Sequence, residues 1–258
     1  MNVIEAKKIS FNISGKDILR EVSFSVGRGD FVSIIGPNGA GKSTLVKCLL
    51  RILIGGGGAI LIKGKPLESY NQRELAKIIS YVPQTGELIP PFTVYEFVLM
   101  GRYPYLSPLS SPKKDDHEAV LEALMLTGTD EFAGRELSTL SGGERQKVFI
   151  AAALAQGSEI MLLDEPTTFL DPKHQYDILK ILRKVNEHGV TIIAVTHDIN
   201  HAVLFSRRIL GIKEGNMVFD GPPEGIMKKE ILYKLYERPF TFTVHPKTGM
   251  PLILPDAE

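Results

Sequence analysis

The apolar positions of this chain switch between two periods. Short, mostly apolar runs at Phe31–Ile35, Ile160–Leu163 and Thr191–Val195 are too brief for helices, and they predict buried strands. Val3–Ala6 and the alternating stretch Ile18–Val26 predict two more, with Gly27-Arg-Gly-Asp30 as the turn that leads into the strand at 31–35. Gly55–Gly58 reads as a flexible break, followed by a short hairpin over Ala59–Lys63 and Gly64–Leu67. Residues 71–79 predict a helical segment feeding a strand at Ile79–Val82. The texture then changes. Thr93-Val-Tyr-Glu96 has the spacing of a capping box and opens a helix to about Met100. Tyr103–Pro112, with three prolines and three serines, is loop, and Lys113–Leu126, apolar at 120, 121 and 124, predicts an amphipathic helix. From 141 to 212 helix and strand alternate three times, which predicts parallel strands with right-handed crossovers. Beyond Gly221-Pro-Pro223 a helix near Lys228–Tyr236 and short strands at Thr241–Val244 and Leu252–Leu254 complete the pattern.

Composition narrows this picture modestly. The 258 residues are 43% hydrophobic and 23% charged, and 30 basic residues balance 30 acidic ones. A zero net charge provides no global field toward nucleic acid or anionic lipid. The most apolar stretch, Val148–Ala155, is far too short to span a bilayer, and charges appear by position 5. Work at a membrane is therefore expected to go through a partner. Cys48 is the single cysteine, so no internal disulfide forms, and its place after residue 44 suits a small buried apolar residue. A reducing compartment is the matching expectation.

The chemistry begins at Gly36-Pro-Asn-Gly-Ala-Gly-Lys-Ser-Thr44, which fits the G-x-x-x-x-G-K-[ST] phosphate loop between a strand and a helix. In that context Gly36, Pro37, Asn38, Gly39, Ala40 and Gly41 let backbone N–H groups converge on an oligophosphate at a helix N-terminus. Lys42 supplies a compact cation for the outer phosphates, Ser43 offers a hydroxyl to Mg²⁺, and Thr44 opens the helix. A second signal is Ile160-Met-Leu-Leu-Asp164-Glu165, an apolar strand that ends in two carboxylates. Ligands of open parallel sheets sit at strand carboxyl ends, so Asp164 is expected to hold Mg²⁺ directly or through water. Glu165, aimed differently, is the candidate for polarising an attacking water. The third is Leu140-Ser-Gly-Gly-Glu144: Ser141 and Glu144 form a capping box, while Gly142 and Gly143 leave a second anion-seeking helix start. One triphosphate per phosphate loop leaves this second surface for the nucleotide of another copy.

With these residues in place, the chain resembles the ATP-binding subunits of ATP-binding-cassette (ABC) transporters, from about residue 3 to at least 222. The resemblance implies an α/β fold of the phosphate-loop NTPase type, with a mostly parallel core sheet, an N-terminal antiparallel β subdomain and a helical insert. Residues 1–258 then form a single ABC ATPase domain, with the insert at about 85–155 and a C-terminal extension at about 222–258. Leu140–Glu144 matches the family's signature loop, so two copies would sandwich two ATP molecules, each between one phosphate loop and the other copy's Ser141, Gly142 and Gly143. Gln84 fits the Q-loop, whose amide would meet Mg²⁺ or water, Leu170-Asp171 fits the D-loop, and His197 fits the switch histidine that senses the γ-phosphate. Asp171-Pro172 also reads locally as an N-cap with proline at the first helical position.

One position departs from the family. An aromatic residue commonly stacks on adenine near position 13, where this chain has Ile13; Phe11 lies two residues earlier, on the same face by strand alternation. Weaker base selectivity is the expectation, since aromatic–base stacking contributes about 1–3 kcal/mol. Met100-Gly-Arg-Tyr-Pro-Tyr105, Glu165–Asp171 and Thr248–Pro255 are similar to the importer branch for iron–siderophore, haem and cobalamin uptake. Tyr103 and Tyr105 either line a groove for a partner's helix or pack the insert. The resemblance implies transmembrane permease subunits, a homodimer of ATPase subunits, an extracytoplasmic substrate-binding protein in the same system, no nucleic acid, and a peripheral place on the cytoplasmic face of the cell membrane. The alternative is an ABC-type ATPase acting on DNA or the ribosome, against which stand the single cassette, the neutral charge and the lack of heptads. A non-hydrolysing regulatory dimer is the third reading, and the presence of both Glu165 and His197 argues for turnover instead.

Overall fold

The computed structural model describes residues 1–84, 91–107, 110–244, 246, 249 and 251–256. In chain order the elements begin with β1 (Asn2–Ile13), β2 (Lys16–Gly27), β3 (Phe31–Ile35), α1 (Lys42–Leu49), β4 (Gly57–Ile62) and β5 (Lys65–Pro66). Then come α2 (Gln72–Ala76), β6 (Ile79–Val82), α3 (Val94–Met100), α4 (Lys114–Thr127), α5 (Gly142–Ala155), β7 (Ile160–Asp164) and α6 (Pro172–Glu187). The last are β8 (Thr191–Val195), α7 (Ile199–Phe205), β9 (Arg208–Lys213), β10 (Asn216–Gly221), α8 (Pro223–Ile226), α9 (Lys229–Tyr236), β11 (Phe240–Val244) and β12 (Pro251–Pro255). Two compact units emerge: Met1–Ser69 with Ile193–Glu258, and Tyr70–Ile192.

The first unit carries an antiparallel sheet in the order β2-β1-β4-β5 and core strands in the order β10-β9-β3-β8. β3 and β9 pair in parallel, while β10 returns antiparallel on β9. Every residue of β3 and β8 is buried, which is why both read as mostly apolar runs rich in β-branched residues rather than as alternations. Leu232, Leu235, Phe240 and Ile253 from the C-terminal extension pack with Ile35, the last residue before the phosphate loop. The Asn200 side chain ties this extension down by bonding both backbone groups of Ile253, at 3.0 and 2.8 Å.

The second unit holds the parallel pair β6–β7 and the helices α2–α6. Val94, Val98, Val120, Leu124, Leu137, Val148 and Ala151 form its helical core. The capping box at Thr93 is present, with Glu96 accepting from the Thr93 amide at 2.8 Å. The stretch Met100–Tyr105 acquires a physical account. A Cβ on Gly101 would lie 2.3 Å from the Ala152 carbonyl, so only glycine lets α3 end against α5. Arg102 then donates to Asp116 and to the Ala155 carbonyl, both at 2.9 Å, and its guanidinium lies 4.0 Å from the Tyr105 ring centre. Tyr105 thus packs one face against Arg102 while staying partly exposed, whereas Tyr103 is 76% exposed and lines a groove with Gln72, Arg73 and Pro104.

Four expectations need correction. Gly57 and Gly58 are not part of a flexible break: they open β4, and Gly57 pairs with Ser10. Leu121 does not face the core of the insert; it is about half exposed, because the buried stripe of α4 follows 120, 123, 124 and 127. β10 and α8 went unpredicted, their weak patterns broken by Gly215, Gly221, Pro222 and Pro223. The first strand is also longer than Val3–Ala6, running to Ile13. Of the tail motif at 248–255, positions 248 and 250 are outside the described residues, as are 85–90 at the start of the insert and 108 and 109 in its loop.

Candidate functional site

In the first unit the phosphate loop is a chain of glycine-only conformations. Gly36, Gly39 and Gly41 have φ of 148°, 78° and 101°. A Cβ on Gly36 would lie 1.9 Å from the Ile212 carbonyl oxygen, and one on Gly41 would lie 2.7 Å from that of Ile18. Gly39, by contrast, faces open space. The loop is thus pressed against β2 and β9 on one side and accessible on the other, the shape needed for backbone to approach a ligand closely. Lys42 is 5% exposed, and its ammonium donates to the carbonyls of Gly36 at 2.8 Å and Pro37 at 2.9 Å. It is also the first residue of α1, whose N-cap, Gly41, contributes no side-chain hydrogen bond and whose first turn holds no acid among the described residues. A cation at the positive end of a helix is unfavourable by itself, and an anion there reverses the sign. The donor set therefore fits an oligophosphate.

His197 belongs to the same unit. It is exposed just beyond β8, and Thr196 is anchored through its amide to the Ile34 carbonyl at 3.1 Å. Asp198 caps α7 by accepting from the His201 amide at 2.9 Å. Phe11 lines a cavity with Cys48, Arg51 and the glycines 55–58, where its ring would touch a Cβ on Gly56 at 3.0 Å. Ile13, about half exposed, is outside that lining. The register of β1 against β2 shifts between Phe11 and Asn12, where β2 carries the extra residue, Ile18, so the alternation of β1 itself is kept. The Cys48 thiol is pushed up to about 11 by burial, which makes it the inert apolar residue expected.

In the second unit Gln84 meets one of the two candidate carboxylates, Glu165. Asp164, the last residue of β7, is 5% exposed, and burial, with a smaller push from the Asp164 charge, raises the Tyr81 phenol to about 12. Glu165 follows with φ of 51°, a left-handed conformation that costs a residue of this kind about 1–3 kcal/mol and is concentrated at functional sites. Its Oε2 accepts from the Gln84 amide at 3.2 Å and from the Thr168 hydroxyl at 2.9 Å. Thr168 was not singled out in the sequence; its position three residues past Glu165, inside the same turn, was the available signal. Among the described residues no group of three or more His, Cys, Asp or Glu side chains could hold a metal by itself. One buried carboxylate plus a neutral amide suits Mg²⁺, which binds through one or two protein groups and substrate phosphates.

Ser141, Gly142 and Gly143 open α5. The Ser141 amide donates to Glu144 Oε2 at 2.8 Å and the Glu144 amide donates to Ser141 Oγ at 3.3 Å, completing the capping box. Those hydrogen bonds, with smaller help from Arg135 and His174, hold the Glu144 carboxyl below the ordinary range. Asp171 caps α6, its Oδ1 accepting from the Lys173 and His174 amides at 3.0 Å each, with Pro172 at the first position.

The sequence and fold have known counterparts. Residues 19–168 match the family described as ABC transporter. The chain is 37% identical to the iron(3+)-hydroxamate import ATP-binding protein FhuC of Bacillus subtilis (strain 168), over 98% of this chain and 95% of that protein. It is 36% identical to the hemin import ATP-binding protein HmuV of Streptomyces coelicolor, over 95% and 86% respectively. Among solved structures, the dimeric bacterial ABC transporter cassette MJ0796 superposes with a TM-score of 0.74 at 32% identity, covering 85% of this chain and 98% of that one.

Proposed function

Because the chain belongs to the ABC transporter family and is an ATP-hydrolysing import subunit, we propose that it powers uptake of a ferric chelate, a siderophore or haem, through transmembrane permease subunits. Its expected place is the cytoplasmic face of the membrane, with residues 1–258 working as one ATPase domain, two copies per transporter and an extracytoplasmic substrate-binding protein delivering cargo. Among the described residues no helix is long and apolar enough to cross a membrane. The cargo class is supported by the near full-length likeness to FhuC and HmuV, two import subunits. The reading that the chain acts on DNA or the ribosome has no such support.

The observation that carries the ATPase chemistry is the strained Glu165 held by Gln84 and Thr168 at the end of a buried strand. Lys42 would exchange its bonds to the Gly36 and Pro37 carbonyls for the outer phosphates, a replacement of two neutral acceptors by an anion. The amides of residues 36–44 would cradle the phosphate chain, while Ser43, Gln84 and Asp164 would hold Mg²⁺. When bound, that cation neutralises charge developing on the transferred phosphoryl group. Glu165 would accept the proton of the attacking water, kept in place by its two hydrogen-bond donors. His197 would hold the γ-phosphate end, and the partner copy's Ser141, Gly142 and Gly143 would close the site.

Steady-state phosphate release tests this assignment. Glu165→Gln should lower turnover about 10²–10⁴-fold while leaving ATP binding intact, the range for loss of a general base. Undiminished turnover removes Glu165 from the role. Ferric-chelate uptake in cells carrying the Glu165→Gln chain should fall in parallel; uptake that continues assigns a different cargo.

A further inference from the structure

His174 lies on α6, outside every motif named above, yet it joins two of them. Its Nδ1–H donates to Asp171 Oδ2 at 2.6 Å, while Oδ1 of the same carboxylate caps the helix. Both oxygens of Asp171 are therefore engaged, and the imidazole plane is held by a short, charge-assisted contact. The other side of the ring covers Gly143. A Cβ built on Gly143 would fall 2.2 Å from His174 Cδ2 and 2.4 Å from Cγ, so the ring fills the space that any other residue at 143 would need. Next to it, Leu170 would lie 3.7 Å from a Cβ on Gly142. Both glycines of the signature loop thus rest on side chains that flank Asp171. One turn farther along, Lys147 pairs with Asp177 at 3.0 Å and fixes α5 to α6 at a second point.

A ring chosen only to fill space would have no need of a carboxylate partner, and a capping aspartate would have no need of an imidazole. The combination makes a lever: displacement of Asp171 turns the ring, and the ring bears directly on the backbone that presents the Gly142 and Gly143 amides. We infer that His174 is a positioning residue that sets the signature loop in register with Asp171, so that the loop is competent toward a second copy's nucleotide only while the Asp171–His174 bond is intact. This rests on the proposal that Ser141–Gly143 complete the partner's ATP site.

The test uses the full chain in a Glu165→Gln background, where ATP–Mg²⁺ should accumulate a closed dimer measurable by sedimentation. Adding His174→Ala should weaken ATP-driven dimerisation about tenfold, leave the affinity of the single chain for ATP–Mg²⁺ unchanged, and keep the circular dichroism spectrum. His174→Asn, whose amide can still donate to Asp171, should recover most of the loss. In the Glu165-intact chain the same pair should show reduced kcat for His174→Ala and recovery for His174→Asn, with the ATP KM unchanged at saturating protein. Dimerisation by the His174→Ala chain equal to that of its parent overturns the inference, as does an Asn variant no better than Ala. Should the Glu165→Gln parent itself fail to dimerise with ATP–Mg²⁺, the shared-site reading falls instead, and the His174 inference falls with it.

Discussion

Two helix starts in this molecule are proposed to meet phosphate, and they are built on opposite principles. α1 begins at Gly41 with no side-chain cap, no acid in its first turn and a buried lysine as its first residue. α5 begins at Ser141 with a complete capping box and Glu144 in its first turn. The first start carries an electrostatic deficit that an anion removes, and its glycines hold it open by conformation. The second is satisfied by its own side chains, with a carboxylate already at its positive end. The difference teaches which of the two can capture a nucleotide unaided. On the proposed function, the phosphate loop would act as a site in itself, and the signature loop would contribute only when something else brings the phosphate to it.

The comparison breaks most visibly at Lys42. Replacing it with Ala should lower hydrolysis about 10²–10³-fold, as for other donors aimed at developing charge, and should weaken ATP–Mg²⁺ binding by the single chain. Binding that survives unchanged would mean that the deficit at α1 does not drive capture. Ser141→Ala should give the opposite pattern. Loss of the cap costs about 1 kcal/mol of stability and roughly 2–4 °C in melting temperature for a chain of this size. Nucleotide affinity of the single chain should stay as it was; a parallel loss of affinity would show that the two starts are not independent.

The smallest effect sharpens the contrast through pH. Glu144 has its carboxyl lowered by the Ser141 hydrogen bonds. A lowered folded-state value means that the box stabilises the protein fully above the ordinary glutamate pKa of about 4.3, and that this part is lost as pH falls through the folded value. Urea titrations from pH 6 to pH 3 should therefore show a slightly shallower loss of stability for Glu144→Gln than for the parent. Identical slopes would assign no stabilising role to the charge at the start of α5.

Local features of both starts were legible in the sequence because each is encoded within a few residues. The glycines at 36, 39 and 41, the boxes at Thr93 and Ser141 and the Asp171-Pro172 cap all announce their conformation to their immediate neighbours. The strands β3, β7 and β8 were equally plain, since full burial leaves an uninterrupted apolar run. What the sequence withheld was contact between distant segments. The hub that joins Arg102 to Asp116 and Ala155 spans 53 residues, and nothing near Gly143 in the chain points to the ring of His174. Phe11 is a related case: its fate depends on the glycine segment 55–58, whose first half is a break and whose second half joins a strand. Even β10, a short strand set between glycines, follows from its pairing with β9 rather than from its own pattern.

The proposed ATPase requires each nucleotide to be captured at one copy's α1 and enclosed by another copy's α5. Turnover per molecule, measured at saturating ATP–Mg²⁺ across a protein dilution series with sedimentation on the same samples, tests this directly. The rate per molecule should rise with protein concentration and level off only where the dimer predominates. A rate that holds constant down to concentrations at which every molecule sediments as a monomer would contradict it.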